Sequence, residues 1–291
     1  MAVRIAVISD VHANIGALKE VYKDARRQTP TTYWMLGDAI GYGPSPQDTL
    51  DHLRDKIKPS IWLAGNHDWA TARLEYAELG IPLTSGWGDD ARQSIQDHHR
   101  RLKPYEAAKG YIKDLGNLQF YCNPSEYLSI FLAHGAYYPN NIPKGILERY
   151  GSKVRELLVC LEEDYQANRD LWQSDTAPVI SIYGHNHIAR LLKRNPAGEW
   201  ELISPLPTAD QPYQLVIGEI YHCNPGSVGF PREESAPCPS YMMLEISDDG
   251  VWSVWFRAVS YNSEVVRAEL QKQHAHPDIY GKRLLRCEGV R

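Results

Sequence analysis

Residues 3–12 have the sequence VRIAVISDVH. Up to Ser9 the run is rich in β-branched and apolar residues, which is typical of a strand that is buried on both faces. An aspartate and a histidine follow directly where this strand ends. Asn14 then stands in position to cap a helix, because apolar residues recur at helical spacing from Ile15 to Val21. The segment therefore predicts a strand, a polar loop and a helix, in that order.

The same alternation of strand and helix continues along the first part of the chain. Residues 33–36 and 61–64 have strand composition, and residues 49–56 between them fit a helix. Such alternation predicts βαβ units and a parallel sheet. Further strands are predicted at residues 118–121, 127–133, 179–183, 189–194, 200–203, 215–222, 241–246 and 251–259. Helices are predicted within residues 69–115 and over 147–168, a surface loop over 204–212, and a helix followed by an arm over 264–291.

Five short segments place aspartate, asparagine or histidine where an apolar strand gives way to a polar or glycine-containing loop. They are Ser9-Asp10-Val11-His12, Gly37-Asp38, Gly65-Asn66-His67-Asp68, Ala133-His134-Gly135 and Gly184-His185-Asn186-His187. In α/β sheets the loops at the carboxyl ends of the strands converge on the ligand site. We therefore expect these side chains to meet in one cleft.

The residue types in these segments fit two adjacent divalent metal ions. Asp10, His12 and His187 can hold one ion, and Asn66, His134 and His185 can hold the other. Asp38 can give one carboxylate oxygen to each, which keeps two ions on the order of 3.5–4 Å apart. Nitrogen and oxygen ligands without cysteine favour Mn, Fe, Zn, Co or Ni, and this many imidazoles argue against a dedicated Mg or Ca site.

Taken together and in order, the five segments resemble the motifs of the calcineurin-like metallophosphoesterases. The sequences SDVHANIGAL, LGDAIGYGPSP, AGNHD and NPGSVGFPR are most similar to the small bacterial and archaeal phosphodiesterase-like branch. The resemblance runs from Val3 to about Arg257. It implies an α/β fold, a four-layer α/β/β/α sandwich of two mixed β-sheets flanked by helices. We expect residues 1–260 to form one domain and residues 261–291 a helical extension or arm.

The resemblance also implies hydrolysis of a phosphate ester by a metal-bound hydroxide. His67 is then expected to protonate the leaving oxygen or to bind the phosphoryl group, together with Asn66. Asp68 either orients His67 or caps the helix that follows. Arg232 could meet a substrate phosphate, although an isolated arginine is usually a solvated surface group. The loop from Asn224 to Ser227 is expected to support the ligands of the second half.

One departure from the family pattern bears on the substrate. Protein serine/threonine phosphatases of this superfamily continue the second segment as G-D-x-x-D-R-G, whereas this chain has Gly41 and Tyr42 at the acidic and arginine positions. Such an arginine would bind a dianionic phosphoryl group through two hydrogen bonds. Its absence disfavours a protein phosphatase and favours a phosphodiester or phosphoanhydride. Our first hypothesis is hydrolysis of phosphodiesters of small nucleotide-like substrates. The alternative is a phosphomonoesterase or protein phosphatase, and less favoured readings are a nuclease and a non-catalytic binding module.

Composition and charge bear on the partners and the compartment of the protein. The formal net charge of -5 gives no strong signal for nucleic-acid binding, and no apolar run approaches a membrane span. The N-terminal segment lacks the pattern of a signal peptide. The five cysteines contain no C-x-x-C pair, which favours reduced thiols in a cytoplasm over a disulfide framework. The sequence does not predict an oligomeric state.

Overall fold

A computed structural model of the chain describes residues 2–74, 88–119, 121–124, 127, 129–135, 161–163, 165–167, 169–170, 172–232 and 238–272. Within these residues the strands are β1 Val3–Ile8, β2 Thr32–Met35, β3 Ile61–Trp62, β4 Tyr121–Cys122, β5 Ile130–Ala133, β6 Val179–Tyr183, β7 Arg190–Arg194, β8 Trp200–Leu202, β9 Tyr213–Leu215, β10 Ile220–Asn224, β11 Ser240–Ile246 and β12 Trp252–Ala258. The α-helices are α1 Ile15–Arg27, α2 Pro46–His52, α3 Asn66–Ala72, α4 Asp89–Leu102, α5 Glu106–Lys109, α6 Tyr111–Asn117 and α7 Ser263–Lys272. A π-helical turn, Leu53–Ile57, extends α2, and a 3₁₀ turn, Lys103–Tyr105, follows α4.

The strands form two six-stranded mixed sheets. The first has the order β3-β2-β1-β11-β12-β9, and the second has the order β4-β5-β6-β10-β7-β8. β1, β2 and β3 run parallel in the first sheet, as β5, β6 and β10 do in the second. The remaining pairs, such as β1 with β11 and β10 with β7, are antiparallel. The parallel part of each sheet therefore ends in loops at one edge, where the polar segments lie.

Alternate residues of β1 pack on opposite sides of the first sheet, which explains why the strand is apolar throughout. Ile5 and Val7 face the second sheet, where they share a core with Ile180 and Ile182 of β6. Ala6 and Ile8 face the other way, into a core that includes Leu18 of α1. The outer face of the second sheet carries a further cluster that contains Phe131, Tyr183 and Trp172. Two sheets packed face to face with helices outside them confirm the predicted four-layer sandwich.

Local predictions agree with the structure at most elements that it describes. Asn14 caps α1, since its side-chain oxygen accepts a hydrogen bond from the backbone N–H of Ala17 at 3.1 Å. The prediction of one strand over 215–222 is wrong. The chain turns at Gly218, whose φ is +80°, and crosses from β9 in the first sheet to β10 in the second. The predicted helix over 147–168 falls mostly outside the described residues.

The C-terminal helix α7 lies against the main body. Val266 and Leu270 are buried in a small cluster with Phe230. The division into residues 1–260 and 261–291 stays a prediction, and residues 273–291 lie outside the described part. No helix among the described residues has the length and apolar character that crossing a bilayer requires.

Candidate metal centre

Each of the predicted ligands lies directly after a strand, as the parallel topology requires. Asp10 and His12 follow β1, and Asp38 follows β2. Asn66 begins α3 after β3. His134 follows β5, and the segment with His185 and His187 follows β6. The two parallel halves thus contribute from both sheets to one edge of the sandwich, and all of these side chains are buried except that of His185, which is half-buried.

The backbone around this edge is unusual. Nine described non-glycine residues have positive φ, and five of them are predicted ligands: Asp10, His12, Asp38, His185 and His187. Aspartate and histidine enter this region more readily than most residues, but the conformation still carries strain. The surrounding hydrogen bonds hold it, for example from the N–H of Asp10 to the carbonyl of Gly37 at 3.0 Å. Backbone strain concentrated in the cluster indicates that the local conformation is maintained because it places these side chains.

The first group of side chains brings Asp10, His12, Asp38 and His187 together. Their possible ligand atoms all lie within 4.8 Å of one another. Nε2 of His187 is 3.2 Å from Oδ1 of Asp10 and 3.0 Å from Nε2 of His12. Nε2 of His12 is 3.7 Å from Oδ2 of Asp38.

The second group contains Asp38, His134 and His185, again within 4.8 Å of one another. Oδ1 of Asn66 lies 3.0 Å from Nε2 of His134 and 3.0 Å from Nδ1 of His185. Nε2 of His134 is 3.3 Å from Oδ2 of Asp38. Asp38 therefore belongs to both groups, and the side-chain oxygen of Asn66 faces the second.

Hydrogen bonds outside the cluster fix which ring nitrogens face inward. Nδ1 of His12, His134 and His187 lies 3.3, 2.8 and 2.7 Å from a backbone carbonyl oxygen, respectively. A carbonyl can only accept, so each Nδ1 carries a proton, and in its neutral form each ring directs its Nε2 lone pair into the cluster. The Nε2 atoms of His12 and His187 then face each other at 3.0 Å, and Oδ1 of Asp10 is buried without a hydrogen-bond partner. Facing lone pairs beside a bare carboxylate oxygen fit a cation, so the donor set fits metal ions.

The electrostatics of the cluster agree with this fit. Burial lowers the pKa of His12, His185 and His187, so these rings are neutral and can act as ligands. Burial also lowers the pKa of His134, but the charge of Asp38 outweighs it and raises the pKa to about 9. Burial favours the neutral form of Asp38, yet the charge of His134 holds its pKa well below the ordinary value. Without a metal ion, His134 therefore carries a second proton and a positive charge although it is buried. A bound cation would take the place of that proton.

His67 lies beside the cluster, and neither group of possible ligands among the described residues includes it. Its backbone N–H donates to Oδ1 of Asp38 at 2.8 Å, and its ring centroid is 4.9 Å from that of His12. Burial lowers the pKa of His67 to about 4. Asn66 and His67 are thus adjacent in sequence but differ in position. Asn66 faces the second group, whereas His67 lies beside the cluster.

The carboxylate of Asp68 bonds to the backbone of two loops beside the cluster. It accepts hydrogen bonds from the backbone N–H groups of Ala39, Ile40 and Gly65 at 3.1–3.2 Å. It therefore caps α3 and also ties the loop after β2 to the loop after β3. Burial and the charge of Asp38 raise the pKa of Asp68 to about 7.

Arg232 and two aromatic rings border the site. The charge of Arg232 contributes to lowering the pKa of His67, His185 and His187, and its guanidinium carbon lies 5.8 Å from the ring centroid of Phe230. The backbone N–H of Arg232 donates to the carbonyl of His187 at 3.2 Å. Tyr42 stacks on Phe230 with ring centroids 4.9 Å apart, and its ring is 4.6 Å from that of His67.

The loop after β10 bonds to the ligand segments of both halves, whereas the expectation concerned the second half alone. The side-chain amide of Asn224 donates to the carbonyl of Gly184 at 2.8 Å and to Oδ1 of Asn186 at 2.9 Å. Ser227 donates to the carbonyl of Asp10 at 2.8 Å. Its neighbours Val228 and Gly229 bond to Ser9 and Asp10 through their backbones.

His98 stands outside the five sequence segments, and no pattern in the sequence assigns it a role at the site. The structure buries it on α4 with both ring nitrogens bonded to the loop after β2. No spacing pattern marks this residue, because the contact joins segments more than fifty positions apart. The other histidines without motif context, His52, His99 and His222, lie outside both ligand groups, and His274 and His276 fall outside the described residues. Tyr137 and Tyr138, which follow the His134 segment in the sequence, also fall outside the described residues.

Comparisons with known proteins bear on the family and the fold of the chain. Residues 3–227 match the calcineurin-like phosphoesterase family. An uncharacterized protein from Methanocaldococcus jannaschii is 40% identical over 71 residues, which are 24% of this chain and 28% of that protein. The matched part thus spans just over a quarter of that relative's length.

Two solved structures share the fold over their whole length. A metallophosphoesterase from Sphaerobacter thermophilus superposes with a TM-score of 0.68 at 24% identity, over 99% of this chain and 100% of that one. A hypothetical protein from Pyrococcus horikoshii OT3 superposes with a TM-score of 0.61 at 15% identity, again over 99% and 100%. These similarities confirm the fold class that the sequence predicted.

Proposed function

Since the chain belongs to the calcineurin-like phosphoesterase family and is therefore a hydrolase of phosphoric esters, we propose that it cleaves phosphodiesters of small nucleotide-like molecules with two divalent metal ions. The observation that carries the proposal is the pair of ligand groups that meet at Asp38. Seven side chains of ligand type, drawn from five separate strand ends, converge there.

The ligand assignment follows the two groups. Asp10, His12 and His187 would hold one ion, and Asn66, His134 and His185 would hold the other. Asp38 would contribute to both, since its Oδ2 lies 3.7 Å from Nε2 of His12 and 3.3 Å from Nε2 of His134. The donors are imidazole nitrogens and carboxylate or amide oxygens, which suit Mn, Fe, Zn, Co or Ni.

The reaction uses the ions and the side chains that surround them. When bound, the two ions supply Lewis-acid activation of water and neutralise charge on the phosphate. His67 hydrogen-bonds the phosphoryl group or delivers a proton to the leaving oxygen, because its ring lies beside the ligand cluster and not in it. Arg232 adds positive charge on the same side. Asp68 acts at one remove by fixing the loops that carry Asp38 and His67.

The preference for a diester rests on Gly41 and Tyr42. An ideal Cβ at Gly41 would lie 2.3 Å from Nδ1 of His67, so the ring of His67 fills the space that an acidic side chain would need. Tyr42, at the arginine position of the protein phosphatases, packs on His67 and Phe230. Without that arginine, the site lacks the two hydrogen bonds that would hold a dianionic monoester, and it accepts a singly charged diester instead. The half-buried ring of Tyr42 leaves a surface on which a flat substituent can rest.

The compartment stays a prediction. Cys122, Cys223 and Cys238 are free thiols in the structure, and two of them are buried. Reduced cysteines support the cytoplasmic location that the sequence predicted.

The test compares a matched diester and monoester. Metal-stripped protein is reconstituted separately with Mn, Fe, Zn, Co and Ni and assayed on bis(4-nitrophenyl) phosphate and 4-nitrophenyl phosphate. We expect turnover to depend on added metal and the diester to be cleaved faster. An Asp38→Asn protein prepared in parallel controls for contaminating phosphatases. Faster cleavage of the monoester or of a phosphopeptide would overturn the diester preference, and full activity of verified metal-free protein would overturn the metal mechanism.

A further inference from the structure

The turn from Gly41 to Gly43 has a conformation that needs outside support. Gly41 has a φ of +100° and Tyr42 a φ of 57°. A bulky aromatic residue with positive φ is a genuine backbone outlier, and such residues persist only where their surroundings hold them. The backbone N–H of Gly43 donates to the carbonyl of His12 at 3.0 Å, which anchors one end of the turn.

His98 anchors the turn from the other side. Its Nδ1 accepts a hydrogen bond from the backbone N–H of Gly41 at 3.0 Å, and its Nε2 donates to the carbonyl of Gly43 at 2.8 Å. The side chain is 1% exposed, so water does not compete for these bonds. Burial lowers the pKa of His98 to about 4, which keeps the ring neutral with one accepting and one donating nitrogen. One imidazole thus spans the backbone on both sides of Tyr42.

We propose that His98 is a positioning residue that holds the Gly41–Gly43 turn and thereby sets Tyr42 against His67 at the edge of the metal cluster. The consequence for catalysis rests on the proposed function, in which His67 contacts the phosphoryl group or the leaving oxygen. Tyr42 touches three rings there, with centroid distances of 4.6 Å to His67, 4.9 Å to His12 and 4.9 Å to Phe230. Both hydrogen bonds of His98 go to the backbone of the turn, through which it acts.

An ordinary core histidine would satisfy its own hydrogen bonds and contribute to stability alone. His98 differs because both of its bonds go to the two residues that flank Tyr42. His99, its neighbour on α4, offers a matched comparison. Its Nδ1 lies 2.8 Å from the carbonyl of Thr71, so it links α4 to α3 without reaching the turn.

The first test measures the Gly41 amide directly and needs neither metal nor substrate. Protein carrying ¹⁵N-glycine and ¹³C-carbonyl isoleucine gives signals from Ile–Gly pairs alone, which are Gly16, Gly41 and Gly218 in this chain. In His98→Leu the amide exchange of Gly41 should speed up by about tenfold or more, because a buried donor loses its acceptor. Gly16 and Gly218 serve as internal references, and His99→Leu should leave Gly41 unchanged.

Two conservative variants separate the bonds and keep the test valid if the leucine variant folds poorly. His98→Asn places an oxygen near the Nδ1 position and should retain protection of Gly41. His98→Gln places an amide nitrogen near the Nε2 position, keeps the bond to Gly43 and should lose protection of Gly41. Unchanged exchange of Gly41 in both His98→Leu and His98→Gln would overturn the proposal.

The second test is a double-mutant cycle on kcat/KM for the substrate that the wild-type protein cleaves best. If His98 acts through Tyr42, His98→Leu and Tyr42→Leu should each lower kcat/KM on the order of tenfold. The double variant should then be no worse than the poorer single variant. Losses that multiply would show that His98 does not act through Tyr42. A wild-type protein without esterase activity would overturn the proposed function and leave the amide result to decide whether His98 holds the turn.

Discussion

Gly41→Ala tests whether the place of His67 matters, because the structure leaves no room for a methyl group at this position. An ideal Cβ at Gly41 would lie 2.3 Å from Nδ1 and 2.7 Å from Cγ of His67. An ordinary contact needs about 3.4 Å or more, so the imidazole ring must move by roughly 1 Å. The backbone adds a second cost, since a φ of +100° is unfavourable for any residue with a Cβ.

Both effects have an expected size. A displacement of about 1 Å at a reacting group can lower the rate by about 10²-fold, and we expect kcat/KM to fall by that order. The backbone strain costs about 1–3 kcal/mol of stability. Metal content should stay at the wild-type level, because His67 is in neither group of possible ligands among the described residues.

The assay combines kcat/KM, thermal unfolding and metal analysis on the same preparations. Gly250→Ala is the matched control: Gly250 has a φ of +81°, and its Cβ would meet nothing within 4 Å. It should show the strain alone, with lower stability and unchanged kcat/KM. Wild-type kcat/KM in Gly41→Ala would refute the role given to His67, and loss of a metal ion would show that His67 helps to hold one.

Two further substitutions test the division of roles around the cluster. His67→Gln should lower turnover by about 10²–10⁴-fold while both ions stay bound. If the ring donates a proton, the loss should be smaller for a nitrophenolate leaving group, and kinetics on good and poor leaving groups will decide this. Loss of an ion from His67→Gln would contradict the role given to His67. Asn224→Ala should destabilise the fold by about 1–3 kcal/mol in urea unfolding, because the carbonyl of Gly184 and Oδ1 of Asn186 lose a buried donor. It should also weaken metal binding by roughly 10–100-fold in a chelator competition, and unchanged affinity would show that the loop after β10 does not support the ligands.

The sequence predicted the parts of the fold and site that depend on local pattern. β1 and its polar loop could be recognised from residues 3–12 alone, because a strand buried on both faces must be apolar throughout. The strand-end rule then placed residues as distant as Asp10 and His187 in one cluster. Asn14 was predicted correctly as a helix cap from its residue type and the spacing that follows it.

What the sequence did not predict depends on contacts between distant segments. The run 215–222 is continuously strand-like in composition, yet Gly218 lets the chain change sheets within it. His98 belongs to no motif, and its role depends on the packing of α4 against the turn at Gly41. The sequence could not choose between orientation of His67 and helix capping for Asp68, because Asp68 accepts hydrogen bonds from three N–H groups of two different loops.

Metal stoichiometry tests the central claim that two ions share Asp38. Wild-type protein, Asp38→Asn and His134→Ala are stripped, reconstituted with one metal and measured by elemental analysis against protein concentration. The wild-type chain should bind close to two ions, His134→Ala about one, and Asp38→Asn should weaken both sites together, because Oδ2 of Asp38 faces His12 as well as His134. A wild-type chain that binds a single ion, or an Asp38→Asn chain that keeps both at full affinity, would contradict the account.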